Sequence, residues 1–325
     1  MKSILVTHTD LDGMGIVILS SYFNLPFDKV ECYDYDEEKE SLIVENFIEY
    51  KNIVVADLSL TPALHEGLLS KSINVSVFDH HETSQWISEK PECVWDNQRC
   101  GTKIFFDEYI KPRIKQYKPI IREFVDLVDV YDRWVLGSPL RPMAEDLQRV
   151  FVKMGSWDIE DTLVRHDRFI MAMLRKLEKL EHFEWNNVEL MYIQNAKESE
   201  NKAYEEALKM LQIRTDNKGR RFALFSAWGK FSMTCSRMLN TDNLDVEYIV
   251  VAQNFHNKWG QMSFRSREGQ FNLLELAGVA GHKASAGTSL SAEDAQRFLY
   301  ENLCFKYKID IKSDDESIIE SVNTI

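Results

Sequence analysis

The sequence has few cysteines, no long apolar run and no excess of positive charge. Its five cysteines include no CxxC pair, which favours free thiols in a reducing compartment. No stretch of about 18 apolar residues occurs, and the N-terminal apolar run is far too short for a signal peptide. We therefore expect a cytoplasmic protein without a membrane span.

The shortage of positive charge also limits the partners. The chain has 39 Lys and Arg residues against 52 Asp and Glu residues, a net charge of -13. A protein that grips long duplex nucleic acid needs a broad basic surface, so this charge argues against such a partner. A small anionic substrate remains compatible with it, because bound divalent cations can reverse the local field.

Three short, nearly continuous apolar runs stand out in the N-terminal half. They cover residues 3–7, 52–56 and 74–78. Such runs are typical of strands buried on both faces, as in a parallel sheet. Helical segments alternate with them at 13–22, at 37–51 and from Thr61, a capping residue followed by Pro62. The alternation predicts an α/β fold with an N-terminal doubly wound, mostly parallel sheet.

The second half has a different pattern. Residues 157–217 show charged, amphipathic helical spacing that ends in a turn at 216–219, and strands are expected at 222–226, 246–252 and 259–265. This predicts a helical connector and a smaller C-terminal α/β domain. The expected divisions are an N-terminal domain at 1–185, a connector at 186–217, a second domain at 218–312 and an acidic tail at 313–325.

Acidic residues and histidines follow each predicted N-terminal strand. The sequence places His8, Asp10 and Asp12 after the first, Asp57 after the second, and Asp79, His80 and His81 after the third; a further acidic group, Asp126, Asp129 and Asp132, closes a predicted helix. In open α/β sheets, ligands bind outside the carboxyl ends of the strands. Aspartate at a strand end is often only a helix cap, but the coincidence of three histidines with these aspartates favours a metal site.

A cluster of carboxylates calls for positive charge. Several carboxylates within a few ångströms repel one another, and a pair of divalent ions removes that repulsion. Two metals about 3.5–4 Å apart can activate a water and stabilise the attacking and leaving oxygens. Mixed imidazole and carboxylate ligands favour manganese, with Mg, Co or Zn as alternatives.

These residues resemble the motifs of the DHH family of phosphoesterases. The matching segments are residues 8–13 (HTDLDG), Val55-Ala56-Asp57, Asp79-His80-His81, residues 100–103 (CGTK) and residues 130–134 (VYDRW), the last in the variant of nanoRNase-like oligoribonucleases. The C-terminal part is similar to the DHHA1 type of domain. There, residues 263–266 (SFRS) look like its substrate-binding strand and residues 281–287 (GHKASAG) like its glycine-rich loop. The match runs from about residue 4 to about 290, and the family usually has a further glycine where this chain has Ala280.

The resemblance implies a role for each residue. His8, Asp10 and Asp57 would bind one metal, and Asp12, Asp57, His80 and Asp132 the other, with Asp57 bridging. His81 would contact the scissile phosphate, oriented by Asp79. Asp129 competes with Asp132, which is preferred because it precedes Arg-Trp. Substrate would be bound by Arg265, Arg267, Gly281, His282, Ser285 and Gly287, with the loop backbone forming an anion nest.

The predicted function is hydrolysis of short oligonucleotides to mononucleotides by two-metal activation of water, in a cleft between the two domains. The alternatives are a cyclic-dinucleotide or linear dinucleotide phosphodiesterase, a RecJ-like single-strand exonuclease, a pyrophosphatase or polyphosphatase, and a catalytically silent nucleotide-binding module. RNA and DNA substrates, either polarity of cleavage and a homodimer are all compatible with the sequence.

Overall fold

The computed structural model describes residues 2–33, 47, 49–71, 74–216, 218–226, 231–255, 259–267, 270–276, 280–281 and 285–290. The chain divides into two compact units, Met1–Ala196 and Lys197–Ile325. The boundary falls within the segment that the sequence predicts to be a connector. Most of the helix predicted at 37–51 and all of the acidic tail lie outside the described residues.

The first unit is built on a five-stranded, wholly parallel sheet in the order β2-β1-β3-β4-β5. Its strands are β1 (Ser3–His8), β2 (Lys29–Tyr33), β3 (Asn52–Ala56), β4 (Asn74–Asp79) and β5 (Cys93–Trp95). The three strands at the centre are those that the apolar runs predict. The sequence analysis missed β2 and β5, which lie at the two edges of the sheet and are only partly buried.

Helices cover both faces of this sheet. They are α1 (Leu11–Tyr22), α2 (Pro62–Lys71), α3 (Gly101–Ile104, continued by a π-helical turn at Phe105–Ile110), α4 (Pro119–Asp132), α5 (Arg141–Met154), α6 (Thr162–Lys179) and α7 (Asn187–Met210), which crosses the unit boundary. Thr61 caps α2 as predicted, since its Oγ1 accepts the N–H of Leu64 at 3.2 Å.

Two apolar clusters form the core on either side of the sheet. Leu5 and Val54 point to one face, which packs on α1, α4, α5 and α6. Ile4 and Val55 point to the other, which packs on α2. Successive strand residues alternate between the two faces, and both faces are buried. The predicted doubly wound α/β architecture is therefore confirmed.

The second unit contains a six-stranded mixed sheet in the order β10-β11-β9-β8-β7-β6. Its strands are β6 (Gln212–Thr215), β7 (Arg221–Ser226), β8 (Tyr248–Phe255), β9 (Trp259–Ser266), β10 (Ala280–Gly281) and β11 (Ser285–Leu290), and a short helix α8 (Ser232–Ser236) runs into a π-helical turn at Arg237–Thr241. Only β7 and β8 pair in parallel among these described strands. The turn predicted at 216–219 joins β6 to β7, with the N–H of Gly219 donating to the carbonyl of Asp216, and it follows a strand where the sequence analysis expected a helix.

None of the described helices is both long enough and apolar enough to span a bilayer.

Candidate metal centre

The turn from β1 into α1 places the first group of candidate ligands. Asp10 caps α1, with Oδ1 accepting the N–H of Gly13 at 3.0 Å, and its other oxygen lies 3.1 Å from His8 Nδ1. A side chain at position 13 is excluded, because its Cβ would lie 2.1 Å from the carbonyl oxygen of His8. The glycine thus lets the chain close tightly over the end of β1, and His8 and Asp10 stay in contact.

Asp57 follows β3 in an unusual backbone conformation. Its φ is +57°, in the left-handed region that costs an ordinary residue about 1–2 kcal/mol. The N–H of Asp57 donates to the carbonyl of Phe78 at 2.9 Å, and the residue is 1% exposed. Strained residues persist where the surrounding structure holds them, and they cluster at functional sites. This geometry turns the Asp57 carboxylate towards the carboxyl edge of the sheet.

The end of β4 supplies a carboxylate and two imidazoles. Asp79 Oδ1 accepts the N–H of His80 at 2.8 Å and lies 2.7 Å from His81 Nδ1. Burial alone would raise the pKa of Asp79, but the hydrogen bond and charge of His81, with smaller effects of Ser84 and His80, together outweigh it and leave the pKa below its usual range. The indole N–H of Trp95 donates to the carbonyl of His81 at 2.8 Å. The His81 ring is therefore oriented from one side and its backbone from another.

His80 lies at the centre of the converging carboxylates. Its Nε2 is 3.3 Å from Asp57 Oδ1, 3.5 Å from Asp132 Oδ2 and 3.8 Å from Asp12 Oδ2. Three overlapping groups of side chains have ligand atoms within 4.8 Å of one another: His8, Asp10 and Asp57; Asp12, His80 and Asp132; and Asp57, Asp79, His80 and His81. The structure thus brings together all six side chains that the sequence proposes as metal ligands.

The pKa values of three side chains in the cluster are shifted by burial and by their neighbours. Burial, reinforced by Asp12 and Asp10, raises the pKa of Asp57 well above its usual value. Burial also raises the pKa of Asp132, to about 8, against the opposing effect of His80. Burial would lower the pKa of His80, but the neighbouring carboxylates raise it. Buried carboxylates that repel one another are stabilised in their charged form by bound cations.

Buried polar atoms without a partner point the same way. Asp57 Oδ2, His80 Nε2 and Asp132 Oδ2 are buried without a hydrogen bond to the part of the chain that the structure describes. A buried polar atom without a hydrogen bond needs an explanation, such as an ion. Carboxylate oxygens and an imidazole nitrogen are suitable donors for manganese or zinc. The side chains present therefore fit divalent cations.

The helix α4 carries both competitors for the fourth motif, and the two have different surroundings. Asp132 is the one that faces His80. Asp129 instead accepts the N–H of Cys100 at 2.9 Å and the ammonium of Lys103 at 2.8 Å. Asp126 is partly buried and paired with the same lysine. The geometry therefore favours Asp132 as the ligand.

The sequence analysis missed how Asp12 is held. Asp12 Oδ2 accepts the N–H of Gly101 at 2.7 Å, and Oδ1 accepts that of Thr102 at 2.8 Å. The hydroxyl of Thr102 also donates to the carbonyl of Asp12 at 2.5 Å. In the sequence, residues 100–103 show only a motif that resembles one of the family. The sequence could not predict that this backbone binds Asp12, because every residue except proline has the same backbone N–H group.

The two C-terminal arginines are held differently. Arg265 is half-buried, with its guanidinium donating to the carbonyl of Phe264 and to Ser232 Oγ. All five N–H groups of Arg267 are used within the second unit; they donate to Leu239, Val246, Leu244, Asn243 and Gln270. Its guanidinium ties the turn after α8 to the end of β9. The substrate-binding role of Arg267 stays a prediction.

The described residues of the predicted glycine-rich loop have paired backbone. Gly281 lies in β10, and Ser285 and Gly287 lie in β11, with Gly281 opposite Ala286 and Ala280 opposite Gly287. A Cβ at Gly287 would lie 3.3 Å from the carbonyl of Met262, so β11 and β9 approach closely there. The backbone of these positions pairs between strands, and the anion nest stays a prediction. His282 lies outside the described residues.

Comparisons with known proteins agree with this fold. No protein-family model and no curated protein matches the sequence. Among solved structures, the chain is similar to the DHH domain of a member of a family of ribosomal proteins. The TM-score is 0.61 at 16% identity, over 92% of this chain and 84% of that one. It is also similar to RecJ from Thermus thermophilus in complex with Mn²⁺. That TM-score is 0.50 at 14% identity, over 91% of this chain and 50% of RecJ.

The chain is thus an α/β protein that gathers carboxylates and imidazoles at the carboxyl edge of a parallel sheet. Its fold is that of DHH-domain structures, as its motifs predict.

Proposed function

We propose that this protein is a metal-dependent phosphodiesterase that hydrolyses short oligonucleotides to mononucleotides. One observation carries the proposal: six carboxylate and imidazole side chains converge, and Asp57 Oδ2, His80 Nε2 and Asp132 Oδ2 are buried among them with no hydrogen bond to the described part of the chain. Buried apolar residues would stabilise the fold better than a cluster of carboxylates does. A bound pair of cations would stabilise the cluster by neutralising its charge.

Two sets of ligands share the cluster. His8, Asp10 and Asp57 would hold one ion, and Asp12, His80 and Asp132 the other. Asp57 would serve both, because it groups with His8 and lies 3.3 Å from His80. When bound, such a pair of ions supplies positive charge for a phosphate and makes water more acidic. Manganese is proposed as the native ion, and the Mn²⁺ in the similar RecJ structure supports that choice.

His81 would act on the substrate rather than on the ions. With Nδ1 donating to Asp79, the protonated ring can donate a hydrogen bond or a proton to the phosphodiester from Nε2. Hydrolysis forms a bond from water oxygen to phosphorus, and that water releases a proton to the solvent. It breaks the bond from phosphorus to the leaving sugar oxygen, which takes up a proton. His81 is the proposed source of that proton, and Asp79 keeps its ring in position.

The substrate is proposed to be short because of charge. A net charge of -13 opposes binding along a long polyanion, whereas a few phosphates can be matched locally. Arg265 is the proposed phosphate-binding group of the second unit, since its planar guanidinium suits a phosphate. The free thiols of Cys32, Cys93, Cys100 and Cys235 are in keeping with a reducing compartment, and we place the protein in the cytoplasm.

A hydrolysis panel with added Mn²⁺ tests this function. It compares a dinucleotide, RNA and DNA oligomers of increasing length, cyclic dinucleotides and pyrophosphate. We expect the highest kcat/KM on substrates of two to about five nucleotides, whose few phosphates the acidic surface tolerates. A preference for cyclic dinucleotides or for long single strands would move the assignment to those alternatives. If none of these substrates is hydrolysed, the remaining interpretation is a catalytically silent nucleotide-binding module.

Variants at the cluster connect the activity to the site. Asp132→Asn is the most direct change, because Asp132 Oδ2 has no hydrogen bond to lose within the described residues. Its kcat should fall by a factor of about 100 or more. Asp126→Asn, two turns earlier on α4, is the matched control and should keep its activity. Arg265→Ala should raise KM more than it lowers kcat.

A further inference from the structure

The backbone of residues 100–102 touches several of the proposed ligands at once. Its N–H groups hold both oxygens of Asp12. A Cβ at Gly101 would lie 2.4 Å from Asp57 Cβ, so the two residues are already in close contact. Asp12 lies in α1 and Asp57 follows β3. The position of this backbone therefore fixes the separation of two ligands from distant parts of the sequence.

One buried carboxylate fixes the segment from the other side. Asp129 Oδ1 accepts the N–H of Cys100 at 2.9 Å, and the residue is 4% exposed. Its Oδ2 accepts the ammonium of Lys103 at 2.8 Å, so Asp129 binds the segment at both ends. Asp129 lies on α4, one turn before Asp132. It thus connects the helix that carries Asp132 to the backbone that holds Asp12.

We propose that Asp129 is a positioning residue that sets the spacing between Asp12 and Asp132 by holding the N–H of Cys100. This rests on the proposed function, because the consequence is felt at the ion held by Asp12, His80 and Asp132. An ion requires its ligands within a few tenths of an ångström of their proper distances. A small shift of residues 100–102 would move Asp12 while leaving the side chain of Asp132 in place.

The ion pair with Lys103 does not by itself explain why a buried aspartate lies at position 129. The same ammonium lies 3.0 Å from Asp126, which is more exposed and accepts no N–H from residues 100–102. Either carboxylate could neutralise the lysine. Only Asp129 accepts the N–H of Cys100 within the described part of the chain, and a charged acceptor strengthens such a bond. The difference between the two aspartates isolates the proposed role.

The test measures Mn²⁺ binding by calorimetry on the full chain, with activity as a second measurement. Wild type should bind two ions. Asp129→Ala should weaken one of them by about 10–100-fold, as is typical when a residue behind a ligand is removed. Asp129→Asn should weaken it less, because the amide oxygen can still accept the N–H of Cys100. Asp126→Asn should match wild type. Excess Mn²⁺ should restore most of the kcat of Asp129→Ala, but not that of Asp132→Asn.

The outcomes separate this inference from the proposed function. If wild type binds Mn²⁺ and Asp129→Ala and Asp129→Asn bind it equally well, the positioning role is wrong and the function stands. Equal weakening by Asp126→Asn would assign the effect to the lysine pair and also overturn the inference. If wild type binds no divalent ion, the proposed function fails and this role fails with it. Should Asp129→Ala not fold, the nearly isosteric Asp129→Asn still decides the matter.

Discussion

Asp79 and His81 form a close pair at the end of β4, with Oδ1 of the carboxylate 2.7 Å from Nδ1 of the ring. The carboxylate is fully buried, and the imidazole is only partly so. An ionised acceptor on Nδ1 fixes the proton there and directs Nε2 away from Asp79. The pair therefore defines which ring nitrogen of His81 faces away from Asp79.

This pair gives the first prediction. Asp79→Asn keeps the shape of the side chain but removes its charge, so the ring is held less firmly. We expect kcat to fall by about 10–100-fold with little change in KM. Steady-state kinetics on a dinucleotide would measure both constants. Ser59→Ala removes a 3.3 Å hydrogen bond to the other oxygen of Asp79, together with a 2.8 Å one to Thr83, and serves as the control because neither involves His81. An equal loss in both variants would show that the effect is not specific to His81.

The second prediction concerns Gly101. In Gly101→Ala the new methyl group would overlap Asp57, whose Cβ and Cα lie 2.4 and 2.9 Å from the place that this carbon would take. Either α3 or the Asp57 turn must move, and neither can do so without disturbing Asp12 or Asp57. Mn²⁺ affinity should therefore fall by about tenfold or more. Gly137→Ala, at a position with no atom within 4 Å, should bind Mn²⁺ like wild type.

The third prediction concerns a histidine far from the cluster. His166 is fully buried on α6, stacked on Phe151 at 4.4 Å between ring centroids, and edge-on to Trp157. Neither ring nitrogen has a hydrogen bond to the described residues. Burial, with a smaller effect of Arg165, lowers the pKa of His166 from 6.5 to about 4. The folded protein therefore resists protonation at this position.

The direction of the pH effect follows from that shift. Between pH 6.5 and about 4, the unfolded chain binds a proton at His166 that the folded chain does not. This contribution to stability is fully present above pH 6.5 and is lost as the pH falls, by up to about 1.4 kcal/mol per pH unit. Urea unfolding from pH 7 to 4.5 would measure it. His166→Leu should show a shallower pH dependence, and an unchanged slope would contradict the prediction.

The central strands were predictable because their sequences are buried on both faces. Residues 52–56 are Asn-Ile-Val-Val-Ala, and β3 has those bounds. The edge strand β2 reads Lys-Val-Glu-Cys-Tyr, with charged residues where one side meets solvent, and β5 has only three residues. Neither presents the long apolar run that identifies a central strand. Edge strands were missed for that reason.

The candidate ligands were predictable for a similar reason, since side-chain type and strand ends are both visible in a sequence. The supports of the site were not. Asp12 is held by backbone N–H groups about 90 positions further along the chain. Asp57 adopts a left-handed φ, which the presence of an aspartate does not predict. Arg267 has the chemistry of a phosphate ligand, but its guanidinium donates to the backbone carbonyls of Leu239 and Leu244. Those carbonyl contacts could not be predicted from the sequence. Tertiary partners of backbone atoms are fixed only by the fold.

The proposed ligands are spread from His8, at the end of the first strand, to Asp132, at the end of α4. A growing polypeptide on the ribosome therefore exposes His8 and Asp10 long before the helix with Asp132 has been made. Until then the ligand set is incomplete, and full affinity for the ions can arise only once the whole sheet and α4 have assembled. Capture of the ions would thus be a late event in biosynthesis, after most of the first unit has been translated.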